Sequence, residues 1–489
     1  MKNPKLKELL ENWLLEASID DIQEKFSSGE LTSRELTLLY LNRIANVDKK
    51  EGGVNSILEV NPDALQIADA LDKERFQAGA RGPLHGIPVL IKDNIATKDK
   101  MHTSAGSLAL ADSYAIKDAF IVEKLREAGA VILGKTNMTE WANFMTQGMP
   151  SGYSSRGGQV KNPYGDPFDC GGSSSGSGSS IAANLAVVAV GTETSGSILS
   201  PASQNSLVGV KPTVGLVSRT GIIPISHTQD TAGPMARTVK DAALLLNALT
   251  GLDPQDTVTG TNAAYKEFDF TSVLDPDGLK GAKIGIARET YFEYLKGDKV
   301  FLLNDAIEKL QELGAEVVDV VIPSTKEKWT YDVLVHEFKV GLNAYLKEYT
   351  SGKGEIRSLA DVIAFNYRQP KGMLKYGQTL LVEAENTSGT LTEGKYLESL
   401  EQDQYLSKEG GIDAALVENG LDAILFPNNF GAAIPAKAGY PSVTVPCGYT
   451  GEGEPVGITF TGSAYSEATL LKLAYAYEQG TKHRVAPKV

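Results

Sequence analysis

Gly171-Gly-Ser-Ser-Ser-Gly-Ser-Gly-Ser-Ser180 runs without a break into Ile181-Ala-Ala-Asn-Leu-Ala-Val-Val-Ala-Val190, so a stretch of only Gly and Ser leads directly into an apolar segment. A Gly/Ser run by itself is typical of a flexible linker between domains. A linker has polar flanks, whereas this run adjoins residues that favour burial. The small residues therefore indicate close approach of backbones inside a core, with the linker as the alternative interpretation.

Short apolar runs alternate with helical patterns on both sides of this region. Strands are expected at 86–94, 130–134, 282–287, 316–321 and 422–426, and helices at 119–128 and 300–313. Strands that alternate with helices pair in parallel and are covered on both faces. The sequence therefore predicts an α/β fold with a large mixed, mostly parallel central sheet covered by helices on both faces.

The chain is interpreted as a single domain spanning 1–489, because large α/β enzymes often exceed the usual domain length of ~150 residues. Leucines at helical spacing predict N-terminal helices over about 5–47. Thr32 and Glu35 have the spacing of a capping box within that segment. These helices are expected to serve packing and not chemistry.

Charge and composition exclude several classes of function. The chain is 42% hydrophobic and 22% charged, which is typical of a folded soluble protein. Its 47 Lys and Arg against 61 Asp and Glu give a net charge of -14, and no basic cluster stands out. Nucleic acid is therefore excluded as an expected partner, since phosphate binding needs a basic face.

Membrane and metal chemistry are not expected either. The apolar runs are far shorter than the ~20 residues that cross a bilayer, and the first 17 residues carry Glu8, Glu11 and Glu16 among their leucines. Cys170 and Cys447 are too few for a disulfide framework and have no companions at metal-ligand spacing. The expectation is a cytoplasmic protein with no membrane contact, no metal and no cofactor.

Three features carry the chemistry: Lys92 at the end of an apolar strand, the Gly/Ser run, and Gly191-Thr-Glu-Thr-Ser-Gly-Ser197. A serine hydroxyl is a poor nucleophile unless a neighbouring base takes its proton, and the chain has only five histidines. A lysine base must be neutral, and lowering its pKa from ~10.4 to ~7 costs about 4 to 5 kcal/mol, which burial can supply. Strand alternation turns Asp93 away from the face of Lys92.

These motifs resemble the amidase signature family. The likeness extends through Gly209-Val-Lys-Pro-Thr213, Asp230-Thr-Ala-Gly-Pro-Met-Ala-Arg237 and Ala438-Gly-Tyr-Pro-Ser-Val-Thr-Val-Pro446. The resemblance implies that Lys92 is the base, that Ser173 is a bridging serine after a cis peptide bond with Gly172, and that Ser197 is the nucleophile. The 24-residue spacing of the two serines is the family's own. The catalytic core is then expected over about 80–250.

The turn before the nucleophile is expected to bind the oxyanion. Its small residues can direct the backbone N–H groups of Thr194, Ser195 and Gly196 at one oxygen. Ser195 stands where members of the family usually carry Gly or Asp. Phe144, Met145 and Gln147 are candidates for the substrate pocket, because they precede the Gly/Ser region by a short distance.

The resemblance implies a serine amidase that hydrolyses a carboxamide to a carboxylic acid and ammonia through an acyl-enzyme. Gly191-Thr-Glu-Thr and Gly221-Ile-Ile-Pro-Ile-Ser look most like the stand-alone bacterial peptide amidases, so C-terminal peptide amides are the expected substrates. The expected partner is thus a small-molecule or peptide amide. The chain itself is expected to be a monomer or a homo-oligomer.

Three alternatives stay open at this stage. The same family includes the glutaminase subunit of the tRNA-dependent amidotransferase. Gly172-Ser-Ser-Ser-Gly176 also fits the nucleophile elbow of an α/β-hydrolase-type esterase that uses Ser174, which needs a histidine from among His227, His336 and His483. A non-catalytic binding protein is disfavoured, since all three chemical positions are filled.

Overall fold

The computed structural model of the chain describes residues 2–265, 267–351 and 354–489. The strands, in chain order, are β1 (Ile57–Val60), β2 (Pro88–Lys92), β3 (Val131–Thr136), β4 (Tyr153–Ser154), β5 (Gly158–Gln159), β6 (Val188–Glu193), β7 (Val208–Lys211), β8 (Thr231–Ala236), β9 (Lys283–Ile286), β10 (Glu316–Asp319), β11 (Ala423–Pro427), β12 (Ser442–Tyr449) and β13 (Pro455–Thr461). Every predicted strand and helix is present, with ends that differ by at most two residues.

The helices precede, separate and cover these strands. They are α1 (Pro4–Asn12), α2 (Ile19–Ser28), α3 (Ser33–Arg43), α4 (Ala64–Ala78), α5 (Phe120–Glu127), α6 (Ser175–Ala182), α7 (Leu199–Gln204), α8 (Val239–Leu249), α9 (Arg288–Tyr291), α10 (Asp298–Glu312), α11 (Asp332–Tyr349), α12 (Leu359–Arg368), α13 (Pro370–Met373), α14 (Thr379–Glu385), α15 (Gly394–Ser407), α16 (Asp413–Asn419), α17 (Ala433–Ala438) and α18 (Glu467–Thr481). The capping box of Thr32 and Glu35 is confirmed at the start of α3. Within the described ranges, no helix is both long and apolar enough to span a membrane.

Eleven strands form one mixed sheet in the order β1-β3-β2-β6-β8-β7-β12-β13-β11-β9-β10. Parallel pairing occurs on the two flanks, in β3-β2-β6 and in β11-β9-β10. The middle, from β6 to β11, pairs antiparallel. The expected large mixed sheet is confirmed, and its parallel part lies where strands and helices alternate in the sequence. In the middle, β12 and β13 are joined by a short turn, which favours antiparallel neighbours.

Both faces of the sheet are covered. Every residue of β2, β3, β6, β8, β11 and β13 is buried, and successive side chains of a strand point to opposite faces. Helices α6 and α7 pack on each other and on β6 and β7, whereas α8 and α18 pack on each other and on β8 and β12. One large hydrophobic cluster extends from Leu6 to Tyr477.

The Gly/Ser run forms helix α6 and is buried along its whole length. A Cβ on Gly176 would lie 2.3 Å from the carbonyl oxygens of both Asn137 and Ser56, so only glycine permits this approach of three backbones. The linker interpretation is therefore wrong. The small residues place α6 against β2, β3 and β6, at the end of the sheet where Lys92 and Glu193 complete their strands.

Candidate active site

Lys92 and Ser173 are in direct contact. Lys92 is the last residue of β2 and is fully buried, and its Nζ donates a hydrogen bond of 2.8 Å to Ser173 Oγ. Ser173 lies just before α6 and is also fully buried, and the peptide bond between Gly172 and Ser173 is cis. The backbone holds Ser173 further, since its carbonyl oxygen accepts the N–H of Thr139 at 3.1 Å.

Thr192 is the second partner of the lysine, and the sequence reasoning missed it. Lys92 Nζ donates to Thr192 Oγ1 at 2.8 Å and to its carbonyl oxygen at 3.2 Å. The side chain of Asn94 donates to the same hydroxyl at 3.0 Å. Thr192 lies on β6, which pairs with β2, so alignment of the two strands was the signal that could have identified it.

Burial dominates the electrostatics of Lys92. Loss of solvent lowers its pKa from 10.5 to about 7, although the nearby carboxyl groups of Asp230 and Glu193 act in the opposite direction. Asp93 faces elsewhere, as strand alternation predicts: it accepts hydrogen bonds from the hydroxyl of Ser104 and the N–H of Gly106. The lysine is therefore poised to exchange a proton near neutral pH.

Ser197 differs from its serine neighbours in being accessible. It is 8% exposed, whereas Ser173 and Ser174 are 0% exposed. It lines a cavity of about 400 Å³. The carbonyl oxygen of Ser197 accepts the N–H of Ser174 at 3.1 Å, which ties the loop before α7 to the loop before α6. The two loops thus bring the serine pair of the sequence motifs together.

Glu193 organises the turn that leads to Ser197. Its fully buried carboxylate accepts three backbone N–H groups, from Gly196 at 2.6 Å, Ile198 at 2.7 Å and Leu199 at 3.0 Å. Burial raises the pKa of Glu193, whereas Lys211 and these three donors act to lower it. The sequence analysis quoted Glu193 in its motif but gave it no role.

The expected oxyanion donors differ at one position. The N–H of Gly196 is directed at Glu193 and not at the cavity, because the buried carboxylate needs its donors. Among the residues that the structure describes, the N–H groups of Thr194, Ser195 and Ser197 have no protein acceptor. All three residues line the cavity, and Ser195 is exposed there.

Asp230 and Gln229 hold the other side of the turn. Thr194 Oγ1 donates to Asp230 Oδ1 at 2.6 Å, and the side-chain amide of Gln229 donates to the carbonyl oxygen of Thr194 at 3.3 Å. Asp230 also accepts the N–H groups of Ile225 and Ser226 at 2.8 and 3.0 Å. Burial raises its pKa to about 6, against the effect of these hydrogen bonds.

The cavity at Ser197, here called the Ser197 cavity, includes two of the three predicted pocket residues. Phe144 and Gln147 line it. Met145 does not, because its side chain is buried in the core and its carbonyl oxygen accepts the N–H of Leu380. The wall that the sequence missed comes from α11 and α14, which contribute Leu334 and Leu380, with Tyr331 just before α11.

A left-handed turn forms another part of the wall. Trp141, Ala142 and Asn143 have φ values of 52°, 54° and 70°, a conformation that residues other than glycine adopt at a cost of about 1–2 kcal/mol each. Glu140 fixes the start of this turn, since its carboxylate accepts the N–H of Ser155 at 2.7 Å and its hydroxyl at 2.9 Å. Burial raises the pKa of Glu140 to about 7. Three successive strained residues at a cavity are typical of a functional site.

The protein-family profile described as Amidase matches residues 35–437. The chain belongs to the amidase signature family. The native peptide amidase of Stenotrophomonas maltophilia, a solved structure, is 46% identical with a TM-score of 0.93, over 97% of this chain and 99% of that one. A probable amidase of Arabidopsis thaliana is 44% identical over 97% of this chain and 91% of its own length. A glutamyl-tRNA(Gln) amidotransferase subunit of Methylobacillus flagellatus is 39% identical over 64% of this chain and 61% of its own length.

Two other nucleophile candidates are poorly placed in the amidase. Ser174 is fully buried, and its hydroxyl donates to the carbonyl oxygen of Thr192 at 3.0 Å and accepts the N–H of the same residue at 3.2 Å. Cys170 is buried, and burial raises the pKa of its thiol to about 12. Neither side chain lines the Ser197 cavity. The esterase interpretation with Ser174 as nucleophile lacks an accessible hydroxyl.

Within the described part of the amidase, no group of three or more His, Cys, Asp or Glu side chains is arranged to hold a metal ion. The histidines bind elsewhere: His227 contacts Glu337 at 3.3 Å, and His336 contacts the carbonyl oxygen of Asp332 at 2.7 Å. The chemistry at the site is therefore that of hydroxyl, amine and backbone groups.

Proposed function

We propose that this amidase hydrolyses a carboxamide to a carboxylic acid and ammonia through an acyl-enzyme on Ser197, with Ser173 as the bridge and Lys92 as the base. One observation carries the proposal: Lys92 is fully buried, and its Nζ lies 2.8 Å from Ser173 Oγ. Among the described residues, no carboxylate forms an ion pair with that amine. An unpaired buried lysine favours the neutral form that a base requires.

The first half of the reaction forms an ester and breaks the C–N bond. Ser197 Oγ attacks the carbonyl carbon while its proton passes to Ser173, whose own proton passes to Lys92. The tetrahedral intermediate then collapses, and a proton returns from Lys92 through Ser173 to the amide nitrogen, so that ammonia leaves. In the second half, water gives its proton along the same path and its oxygen to the acyl carbon, which releases the acid and restores Ser197.

The oxyanion of the intermediate is bound by backbone donors. The N–H groups of Thr194, Ser195 and Ser197 are the candidates, since they have no acceptor within the described chain and their residues line the cavity. In comparable enzymes one such donor contributes about 3 to 4 kcal/mol to the transition state. Glu193 keeps the turn rigid and thereby keeps these donors in place.

C-terminal peptide amides are the proposed substrates. The likeness to the peptide amidase of Stenotrophomonas maltophilia supports this choice, because it covers nearly the whole of both chains. The likeness to the amidotransferase protein extends over less than two thirds of either chain, and it is the weaker support for a glutaminase. A stand-alone hydrolase in the cytoplasm, without nucleic acid or membrane partners, is part of the same proposal.

Purified chain alone tests the proposed substrate. Its release of ammonia from a neutral peptide amide such as an N-acetylated dipeptide amide is compared with release from free glutamine. The proposal expects turnover of the peptide amide and little from glutamine. Turnover of glutamine alone, or activity that appears only after a partner protein is added, would contradict it.

A further inference from the structure

One face of α11 runs beside the Ser197 cavity and then beside a second, larger cavity of about 570 Å³. Residues three or four apart on a helix lie on one face. Such a series on α11 and the residue before it comprises Tyr331, Leu334, Phe338, Gly341, Tyr345 and Glu348. The first two line the Ser197 cavity, and the last three line the second cavity. The two cavities therefore lie along one helix, end to end.

Phe338 marks the boundary between the two cavities. Its ring packs edge-on against Trp141, with centroids 6.4 Å apart, and against Phe144 at 4.8 Å. The cavities share three lining residues, Ala142, Thr194 and Ile225. The turn that leads to Ser197 is thus open to both sides, one of which the proposed function does not use.

The second cavity lies on the lysine side of the reaction. Thr192 and Asn94 line it, and Lys92 donates to Thr192 at 2.8 Å while Asn94 donates to the same hydroxyl. In the proposed function the departing nitrogen receives its proton from Lys92 through Ser173. That nitrogen must therefore face this side, and a substituent on it points to the second cavity, whereas the acyl group occupies the Ser197 cavity.

We infer that the second cavity receives the leaving amine of N-substituted amides, so that this enzyme cleaves secondary amides of apolar alkyl or aryl amines as well as primary amides. The inference rests on the proposed function and adds a second class of substrate to it. In the reaction, the ester bond to Ser197 forms, the C–N bond breaks, and the amine leaves with the proton that Ser173 delivers. Water then releases the acid as before, and no oxidant or cofactor is consumed.

The walls of the second cavity suit an apolar amine. Ile222, Ile223 and Pro224 form one side, and the rings of Tyr345 and Tyr349 are stacked 5.2 Å apart on another. A volume of about 570 Å³ is within the range of small-molecule sites.

The charged residues of that cavity are mostly neutralised by each other or by backbone. Arg219 pairs with Asp256 at 2.6 Å, and Glu348 pairs with Lys117 at 2.5 Å. The carboxylate of Asp230 already accepts the hydroxyl of Thr194 and two backbone N–H groups. The cavity therefore offers an apolar substituent contact area without exposing it to an unpaired charge.

The rigid placement of α11 keeps this space open. Glu337, on the buried side of the helix, accepts the hydroxyl of Ser226 at 2.5 Å, that of Thr228 at 3.1 Å and that of Tyr396 at 2.9 Å. These bonds fix α11 to the segment that carries Ile225. A cavity held by a buried carboxylate does not depend on a substrate to form it.

The test compares two amides of the same acyl group, a primary amide and the N-benzyl amide of one N-acetylated dipeptide. Benzylamine and ammonia are of similar basicity, so the two substrates differ mainly in the space that the leaving group needs. The inference expects release of benzylamine with a kcat/KM within about tenfold of that for the primary amide, a difference of about 1.4 kcal/mol in activation free energy.

A cavity-filling variant links the activity to the second cavity. Ala344 is exposed on α11 and lines that cavity, so A344W fills space there without disturbing the core. Lys347 is exposed on the same helix and lines neither cavity, so K347W is the matched control. A344W is expected to lower kcat/KM for the benzyl amide about tenfold or more and to leave the primary amide within about twofold. K347W is expected to change neither.

The outcomes separate this inference from the proposed function. Cleavage of the primary amide without any cleavage of the benzyl amide overturns the inference and leaves the proposed function in place. Equal loss of both activities in A344W, with an unchanged Tm, also overturns it, since the cavity would then not act on the leaving group. Failure to cleave either amide contradicts the proposed function itself.

Discussion

The Nζ of Lys92 lies 2.8 Å from the Oγ of Ser173, and both side chains are completely buried. Two carboxyl groups, of Asp230 and Glu193, act to keep the lysine charged, yet burial outweighs them and lowers its pKa to about 7. The carboxylates do not contact the amine, because each is engaged with the turn before Ser197. The base and the turn are thus separate units of the site.

The first prediction concerns the pH profile of the reaction. Only the neutral lysine accepts a proton, so kcat/KM is expected to rise with pH through about 7, the pKa of Lys92, and to level off above it. Below that pH it should fall about tenfold per unit. A profile that falls as the pH rises from 6 to 8 would contradict the assignment.

A variant of Thr192 checks the origin of that limb. T192V removes the hydroxyl that accepts the lysine proton at 2.8 Å, and acceptors favour the charged form. The limb is therefore expected to move to lower pH in T192V. A limb that stays in place or moves upward would show that another group controls it.

The second prediction is an order of damage among the three proposed catalytic residues. Ser197→Ala removes the atom that carries the acyl group, and Lys92→Ala removes the final proton acceptor, so both are expected to lower kcat by about 10⁴-fold or more. Ser173→Ala removes the bridge, whose place a water can take, and should keep more activity. Circular dichroism and Tm serve as the control for folding. Greater damage from Ser173→Ala than from Lys92→Ala would contradict the bridging role.

The third prediction concerns stability. The pKa of Lys92 is about 7 in the folded protein and 10.5 ordinarily, so the unfolded chain binds more protons between these values and folding becomes more favourable as the pH rises through them. Lys92→Met removes this dependence. Its Tm relative to wild type is expected to be highest near pH 6 and to decline toward pH 10. Lys347→Met, at an exposed lysine, is the control that should show no such trend.

The fourth prediction separates the turn before Ser197 from general stability. Glu193→Gln leaves one acceptor oxygen for three N–H groups, so the turn loosens and kcat is expected to fall by about 10²-fold or more, with a smaller change in KM. Glu467→Gln is the matched control, because Glu467 is also fully buried, near Lys211, and accepts the N–H of Thr213 at 2.6 Å. It should lower Tm and leave kcat unchanged. Equal losses of kcat in the two variants would remove the special role of Glu193.

The sequence predicted the parts of the fold and site that have a local signal. Apolar runs bounded by turns identified β2, β3 and the flanking strands, and Lys92 ends the first of these in both prediction and structure. The Gly/Ser run was separated from a linker by the apolar segment that follows it. The antiparallel centre was not predicted, because pairing between distant strands leaves no local pattern.

The remainder of the site depends on contacts between residues far apart in sequence. Thr192 contacts Lys92 across 100 positions, and Leu334 and Leu380 reach the Ser197 cavity from helices of the polar C-terminal half. Met145 was predicted from its position alone, and the backbone turns its side chain into the core. Gly196 was predicted as a donor from its small size, whereas a buried carboxylate three residues away determines its direction.

Covalent labelling of Ser197 tests the central claim most directly. The wild-type enzyme is treated with a fluorophosphonate, digested, and mapped by mass spectrometry, with S197A as the matched control. The proposed mechanism predicts a single tag on Ser197, stoichiometric with the loss of activity, and no tag in S197A. A tag on Ser174 or Cys170 that accompanies the loss of activity would contradict it.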